Sequence, residues 1–179
     1  MNYQWIIVIA LVVVGIVFLS RFRKTKLFSN FPFEDGEEVV FTEEPALLQH
    51  KQSSIVGAKT QRNYHVLMRP IVKVTNKGKI IFAQKYKNDA LVYAVFSLKN
   101  LADEQKNAWK NLGYTFATLS GQDIKATAST KKAAYEITFI GGNSDPVTAT
   151  MGVNDFIMQI YTNDISSYEK NLGVKNPVH

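Results

Sequence analysis

The chain has 179 residues, a formal net charge of +6 and no cysteine, which excludes disulfides, thiolate catalysis and Cys-based zinc or iron–sulfur sites. A hydrophobic content of 46% with only five prolines suits a folded chain rather than disorder, and the length suits one domain with a proper core. The charge is segregated: four bases in residues 21–26, six acids and no base in 34–44, nine bases and no acid in 51–87, then near balance.

In chain order, Trp5 to Leu19 reads WIIVIALVVVGIVFL, fifteen residues without a polar side chain, with Arg21, Arg23, Lys24 and Lys26 directly behind. Placing Tyr3, Gln4 and Trp5 at the interface, this predicts a single-pass transmembrane helix in a lipid bilayer. The bases behind it predict an outside N-terminus, a cytoplasmic C-terminal domain and a flank (Arg21, Arg23, Lys24, Lys26) lying at the membrane surface. The neutral leading segment and the absence of a small-x-small exit argue against a cleaved signal peptide. The expected organisation is an anchor with basic flank over 1–26, a tether over 27–36 interrupted by Pro32, one globular domain over 37–173 and a tail over 174–179.

Within the domain, 38–41 predicts a short strand, and the polar stretch 52–64 with Gly57 a long connection. Residues 65–75, HVLMRPIVKVT, predict one strand with a bulge or edge position at Pro70. Asn76-Lys77-Gly78 predicts a hairpin turn, with 79–86 returning. The stretch 91–98, LVYAVFSL, is apolar on both faces and predicts a central strand. A helix over 101–112 carries Leu101, Ala108, Trp109 and Leu112 on one stripe. Three short strands follow around 115–119, 124–128 and 134–140. The end predicts a long amphipathic helix over 154–172, with Phe156, Ile157, Ile160, Tyr161, Ile165, Tyr168 and Leu172 at three- and four-residue steps and Gly173 as a stop.

Several short strands closed by one amphipathic helix is the order of a pleckstrin-homology-like barrel. Gly36-Glu37-Glu38-Val39-Val40-Phe41 and Val74-Thr75-Asn76-Lys77-Gly78-Lys79-Ile80-Ile81-Phe82 resemble the opening and the hairpin of the GRAM branch, over roughly residues 36–98. The resemblance implies an α+β fold, a small barrel closed by the C-terminal helix, and lipid or protein binding as the usual role. The helix at 101–112 departs from that pattern as an insertion between strands; the alternative architecture is an open antiparallel sheet with helices on one face.

For chemistry, His50, His65 and His179 are scattered, with no carboxylate at ligand spacing, and no phosphate loop, dinucleotide fingerprint, nucleophile elbow or zinc-protease helix occurs. Gly141-Gly142-Asn143 reads as a turn, and the acidic run lacks the spaced ligands of a calcium loop and reads as a solvated face. The expectation is a non-catalytic binding domain with no metal and no cofactor. Its headgroup candidates are Arg69, Lys73, Lys77, Lys79, Lys85 and Lys87, on and around a strand hairpin. Anionic lipid headgroups or a membrane protein partner are the expected ligands, the latter making the chain an accessory or scaffold subunit. Nucleic acid is not expected despite the charge.

Overall fold

The computed structural model describes residues 3–56, 59–99, 103–111, 115–142 and 155–177. Among these residues, ten strands form two five-stranded sheets. The first contains β1 (Val39–Glu43), β4 (Pro70–Thr75), β5 (Lys79–Tyr86), β6 (Asp89–Ser97) and β7 (Thr115–Thr118), in the order β1-β4-β5-β6-β7. The second contains β2 (Leu47–Val56), β3 (Lys59–Val66), β8 (Ile124–Ala128), β9 (Tyr135–Gly142) and β10 (Asp155–Thr162), in the order β3-β2-β10-β9-β8. All pairings are antiparallel except β6 with β7, which are parallel and joined through α2 (Asp103–Asn111).

The sheets pack face to face. Val72, Val74, Ile80, Phe82, Ala94 and Phe96 from the first meet Leu48, Ile137, Phe139, Met158 and Ile160 from the second in one buried cluster. The approach is close at Gly141, where an added Cβ would lie 2.5 Å from Ala117 Cβ. Gly141 and Gly142 are thus strand residues paired with Phe156 and Asp155, not a turn, and Asn143 lies outside the described residues.

The first sheet is covered on both faces, which explains the all-apolar β6. Inward, Ala94 and Phe96 join the inter-sheet core; outward, Val92 and Val95 pack with Ile81, Phe31 and Trp109, the last from α2. The predicted tether therefore carries packed side chains, with Phe31 only 5% exposed. A register shift opposite Phe82 and Ala83 leaves Tyr93 as an extra residue in β6, packed against the inter-sheet core.

A small helix, α3 (Ile165–Leu172), closes one end of the sandwich by burying Ile165, Tyr168 and Leu172. Asp164 caps it, accepting a hydrogen bond from Ser167 N–H at 3.1 Å, and Gly173 ends it at φ +66°.

Several expectations are corrected. Among the described residues there is no closed barrel and no single open sheet with helices on one face; the architecture is two packed sheets. The long helix expected over 154–172 is in fact β10, central in its sheet, followed by α3. Phe156, Met158 and Ile160 alternate inward while Gln159 and Tyr161 face the other way, so the same apolar residues satisfied a period of two. The long connection is the β2–β3 hairpin, and 65–75 is two strands in different sheets, parted at Arg69 (φ +46°) before Pro70.

A further correction concerns the N-terminus. Among the described residues no helix is long and apolar enough to cross a membrane. Helix α1 (Tyr3–Thr25) runs on through Arg21, Arg23 and Lys24 rather than stopping before them. The apolar run Trp5–Leu19 inside it would rise roughly 22 Å, short of a hydrocarbon core of about 30 Å. The expected single-pass anchor, its orientation and the cytoplasmic placement drawn from it are withdrawn on that finding. From Ile7 to Leu19 the large apolar side chains described are about half or more exposed.

Candidate functional site

The nine-base stretch and the six-acid stretch meet each other in the fold, and this decides which bases remain available. Lys79, a headgroup candidate by sequence, is 1% exposed. Its Nζ lies 2.5 Å from Glu37 Oε2 and 2.7 Å from Glu34 Oε1, and sits over the Trp109 ring at 5.2 Å. Glu37 completes its set by accepting from Thr75 Oγ1 at 2.7 Å and from Glu34 N–H at 2.9 Å. The hydrogen bond from Lys79 also holds the Glu34 carboxyl below its usual range. Lys79 is a structural residue that pins 34–37 to the outer face of the first sheet. Lys77 belongs to the β4–β5 turn at that same end, where Gly78 takes φ +78°.

At the opposite end of that outer face, three other candidates converge. Lys73 on β4, Lys85 on β5 and Lys87 in the β5–β6 turn line one cleft of about 440 Å³, together with Phe28, Ile71, Asn88, Asp89 and Ala90. The topology makes this happen: β4 and β5 are antiparallel neighbours with Lys73 opposite Ile81 and Ile71 opposite Ala83, so Lys73, Ile71 and Lys85 share the face that runs toward the turn into β6. The turn itself is two residues long, between the paired Tyr86 and Asp89, with Lys87 at φ +54°. Arg69 stands next to this region through its backbone, its carbonyl accepting from Lys85 N–H at 2.9 Å, but its side chain is not among the lining groups.

The lining is not evenly basic. Lys73 Nζ lies over the Phe28 ring at 4.6 Å, and burial pushes its pKa below the ordinary lysine value, with Asp89 opposing. Asp89 is partly desolvated, which raises its pKa, yet hydrogen bonds from Ser29 and from its neighbour Ala90 N–H (2.6 Å) outweigh that and hold it low. Lys85 reaches out of the cleft to Glu44, 2.5 Å away, in an exposed pair. The cleft is thus lined by three lysines, one of them with its ammonium drawn outward to Glu44, against one fixed carboxylate and beside the Phe28 ring.

The segment behind α1 forms part of the rim. Leu27 pairs with Leu91 as an isolated bridge, and Lys26 C=O accepts from Val92 N–H at 2.8 Å, which seats Phe28 in the cleft. Of the predicted basic flank, Arg21, Arg23 and Lys24 lie on α1 and Lys26 just beyond it. Sequence reasoning found the three lysines but missed Phe28 and Asp89. Phe28 lies far away in sequence, and Asp89 reads as an ordinary turn residue; the Lys87-Asn88 pair before it was the one local signal.

Among the described residues no group of three or more His, Cys, Asp or Glu side chains is arranged to hold a metal ion. Compared with family models, curated proteins and solved structures, the chain matches none. The functional reading therefore rests on this geometry.

Proposed function

We propose that the protein is a non-catalytic binding domain whose Lys73–Lys85–Lys87 cleft takes an anionic group of the phosphate class, carried by a lipid headgroup or by a soluble phosphate ester. The observation that supports this is the convergence of these three lysines, from two strands and a turn, on one cleft. A bound anion would restore to Lys73 the charge stabilisation that burial removes. Phe28 and Ile71 give the body of a ligand an apolar surface.

The test is calorimetric titration of the full-length chain with an inositol polyphosphate at two salt concentrations. Binding that weakens with salt, and that drops at least about tenfold in the double variant Lys85→Glu, Lys87→Glu, is expected. Undiminished binding by the double variant would overturn the proposal. Vesicle flotation then separates the sources: a lipid headgroup requires a gain on anionic over neutral vesicles that the double variant loses, whereas a soluble ester gives no such gain.

The Glu44 pair supplies a second expectation. Glu44→Gln releases Lys85 into the cleft, and because exposed pairs are worth up to about 1 kcal/mol, polyphosphate affinity should rise by a few-fold. An unchanged or lower affinity would show that Lys85 does not face the ligand.

A further inference from the structure

The free edges of the two sheets are not alike. β1, β7 and β8 are edge strands of five, four and five residues, and β1 carries a register shift; short length and bulges both blunt an edge against further pairing. β3, the fourth edge, has eight residues, no proline, and an unbroken register with β2 from the Gln49/Val66 pair to the Val56/Lys59 pair. Leu67 N–H donates to Leu48 C=O at 3.0 Å, which sets the phase of this ladder. Hydrogen bonding alternates along an antiparallel pair, so the main-chain groups of Thr60, Arg62, Tyr64 and Val66 point away from β2, to the open edge. Among the described residues no strand pairs with them.

The side chains beside this edge are apolar and basic. Leu67 joins the inter-sheet core, so Tyr64 and Val66 stand on the outer face, 57% and 47% exposed, and Met68 just beyond the strand is 75% exposed. Lys51, opposite Tyr64 on β2, sets its ammonium over the Tyr64 ring at 5.6 Å. From residue 51 to 66 the hairpin carries Lys51, Lys59 and Arg62 and no acid. It also overhangs its sheet: among the described residues β10 pairs with β2 only as far as Gln52, so residues 53–56 are held by β3 alone. A two-stranded ribbon is marginal in water, and a third strand completes it.

We infer that the β3 edge is a docking site for an extended peptide segment of a partner protein, apolar and acidic in composition, which adds to the second sheet as a further strand. Main-chain hydrogen bonds to the open edge supply affinity in this mode, and the flanking side chains supply specificity. The apolar residues of the segment meet Tyr64 and Val66, and its carboxylates answer the three bases of the hairpin. A second copy of the chain is the poorer occupant, because pairing β3 with its twin brings the bases of both copies together without an acid. The edge is independent of the lysine cleft, since no residue is shared.

The experiment is fluorescence anisotropy of the full-length chain with two labelled short peptides, one alternating valine with glutamate and the other valine with lysine. The glutamate peptide is expected to bind about tenfold tighter or more, with the gap narrowing as salt rises. Arg62→Pro removes an N–H that the β2–β3 ladder does not use, so the hairpin keeps its pairing while an added strand loses a donor. It should weaken binding about tenfold, against about two- to threefold for Arg62→Gln, which alters the charge alone. Tyr64→Glu, at an exposed position, should weaken binding by about as much as the proline variant and keeps the test decisive if that variant fails to fold. Equal affinity for the two peptides, or parental affinity in Tyr64→Glu, would overturn the inference. So would a concentration-dependent dimer that Arg62→Pro abolishes, which would make a second copy the occupant, or tighter binding of a labelled oligonucleotide than of the glutamate peptide.

Discussion

Replacing Lys79 with Ala is expected to destabilise the domain by about 3–5 kcal/mol, the cost of leaving a buried charge without its partner. The Glu37 side chain has no exposure and keeps only Thr75 Oγ1 and Glu34 N–H once the ammonium is gone. The cation over Trp109 is lost as well, loosening the contact between α2 and the first sheet. Urea denaturation measures this directly: the midpoint should fall with the slope unchanged. The companion measurement is the double variant Lys79→Met, Glu37→Gln. Removing both charges and keeping the volume should recover most of the loss, because the penalty is an unpaired charge rather than a missing contact. A small loss in Lys79→Ala would mean that water reaches Glu37 in solution.

Tyr168→Phe is expected to cost about 1.5–3 kcal/mol at neutral pH, the range for a hydrogen bond to a charged group. The phenol of Tyr168 and the hydroxyl of Thr162 both donate to the Glu43 carboxylate, at 2.5 Å each, and so tie α3 and β10 to β1. Burial raises the Glu43 pKa, with these two hydrogen bonds opposing. The sign of the pH dependence follows. A carboxyl whose folded pKa lies above its unfolded value of 4.5 takes up its proton earlier in the folded chain, so its contribution is fully present at low pH and is lost as pH rises through the folded pKa. Tyr168→Phe removes one opposing hydrogen bond and raises that pKa further. The deficit of the variant should therefore be largest at neutral pH and should narrow on acidification toward the ordinary carboxylate range. Thermal unfolding of both chains across that interval checks it; a deficit independent of pH would mean that the phenol acts by packing alone.

These two networks show what the sequence could and could not reveal. Local chemistry was readable: the Asn76-Lys77-Gly78 turn, the helix within 101–112 that became Asp103–Asn111, and the doubly buried strand at 91–98, whose apolar faces correspond to two real layers. Periodicity misled where one set of residues fits two periods. In 154–172 a helical stripe and a strand alternation share Phe156 and Ile160, and Asn163-Asp164 marks the break between β10 and α3. Long-range pairing was out of reach. The acidic run looked like a solvated face, yet Glu34 and Glu37 hold Lys79, Glu44 holds Lys85, and the half-buried Glu43 accepts from Tyr168 of α3. Likewise His50 and His65 looked scattered because the hairpin that faces them was read as a loop. Of the six lysine and arginine candidates, only the register of β4, β5 and the following turn separates the three that share a cleft from the rest.

The position of β10 has a consequence for how the chain acquires its structure. About seven-eighths of the way along the sequence, it is nevertheless the middle strand of its sheet, joining β2 on one side and β9 on the other. Until Asp155–Thr162 arrives, the β2–β3 hairpin and the β8–β9 hairpin have no connection to each other. Each presents an unpaired edge and an apolar face, a state open to intermolecular pairing. The first sheet needs nothing beyond Thr118 and can assemble earlier during synthesis. Closing a pairing between residues 48 and 160, which joins the two hairpins into one sheet, is a slow, high-contact-order step.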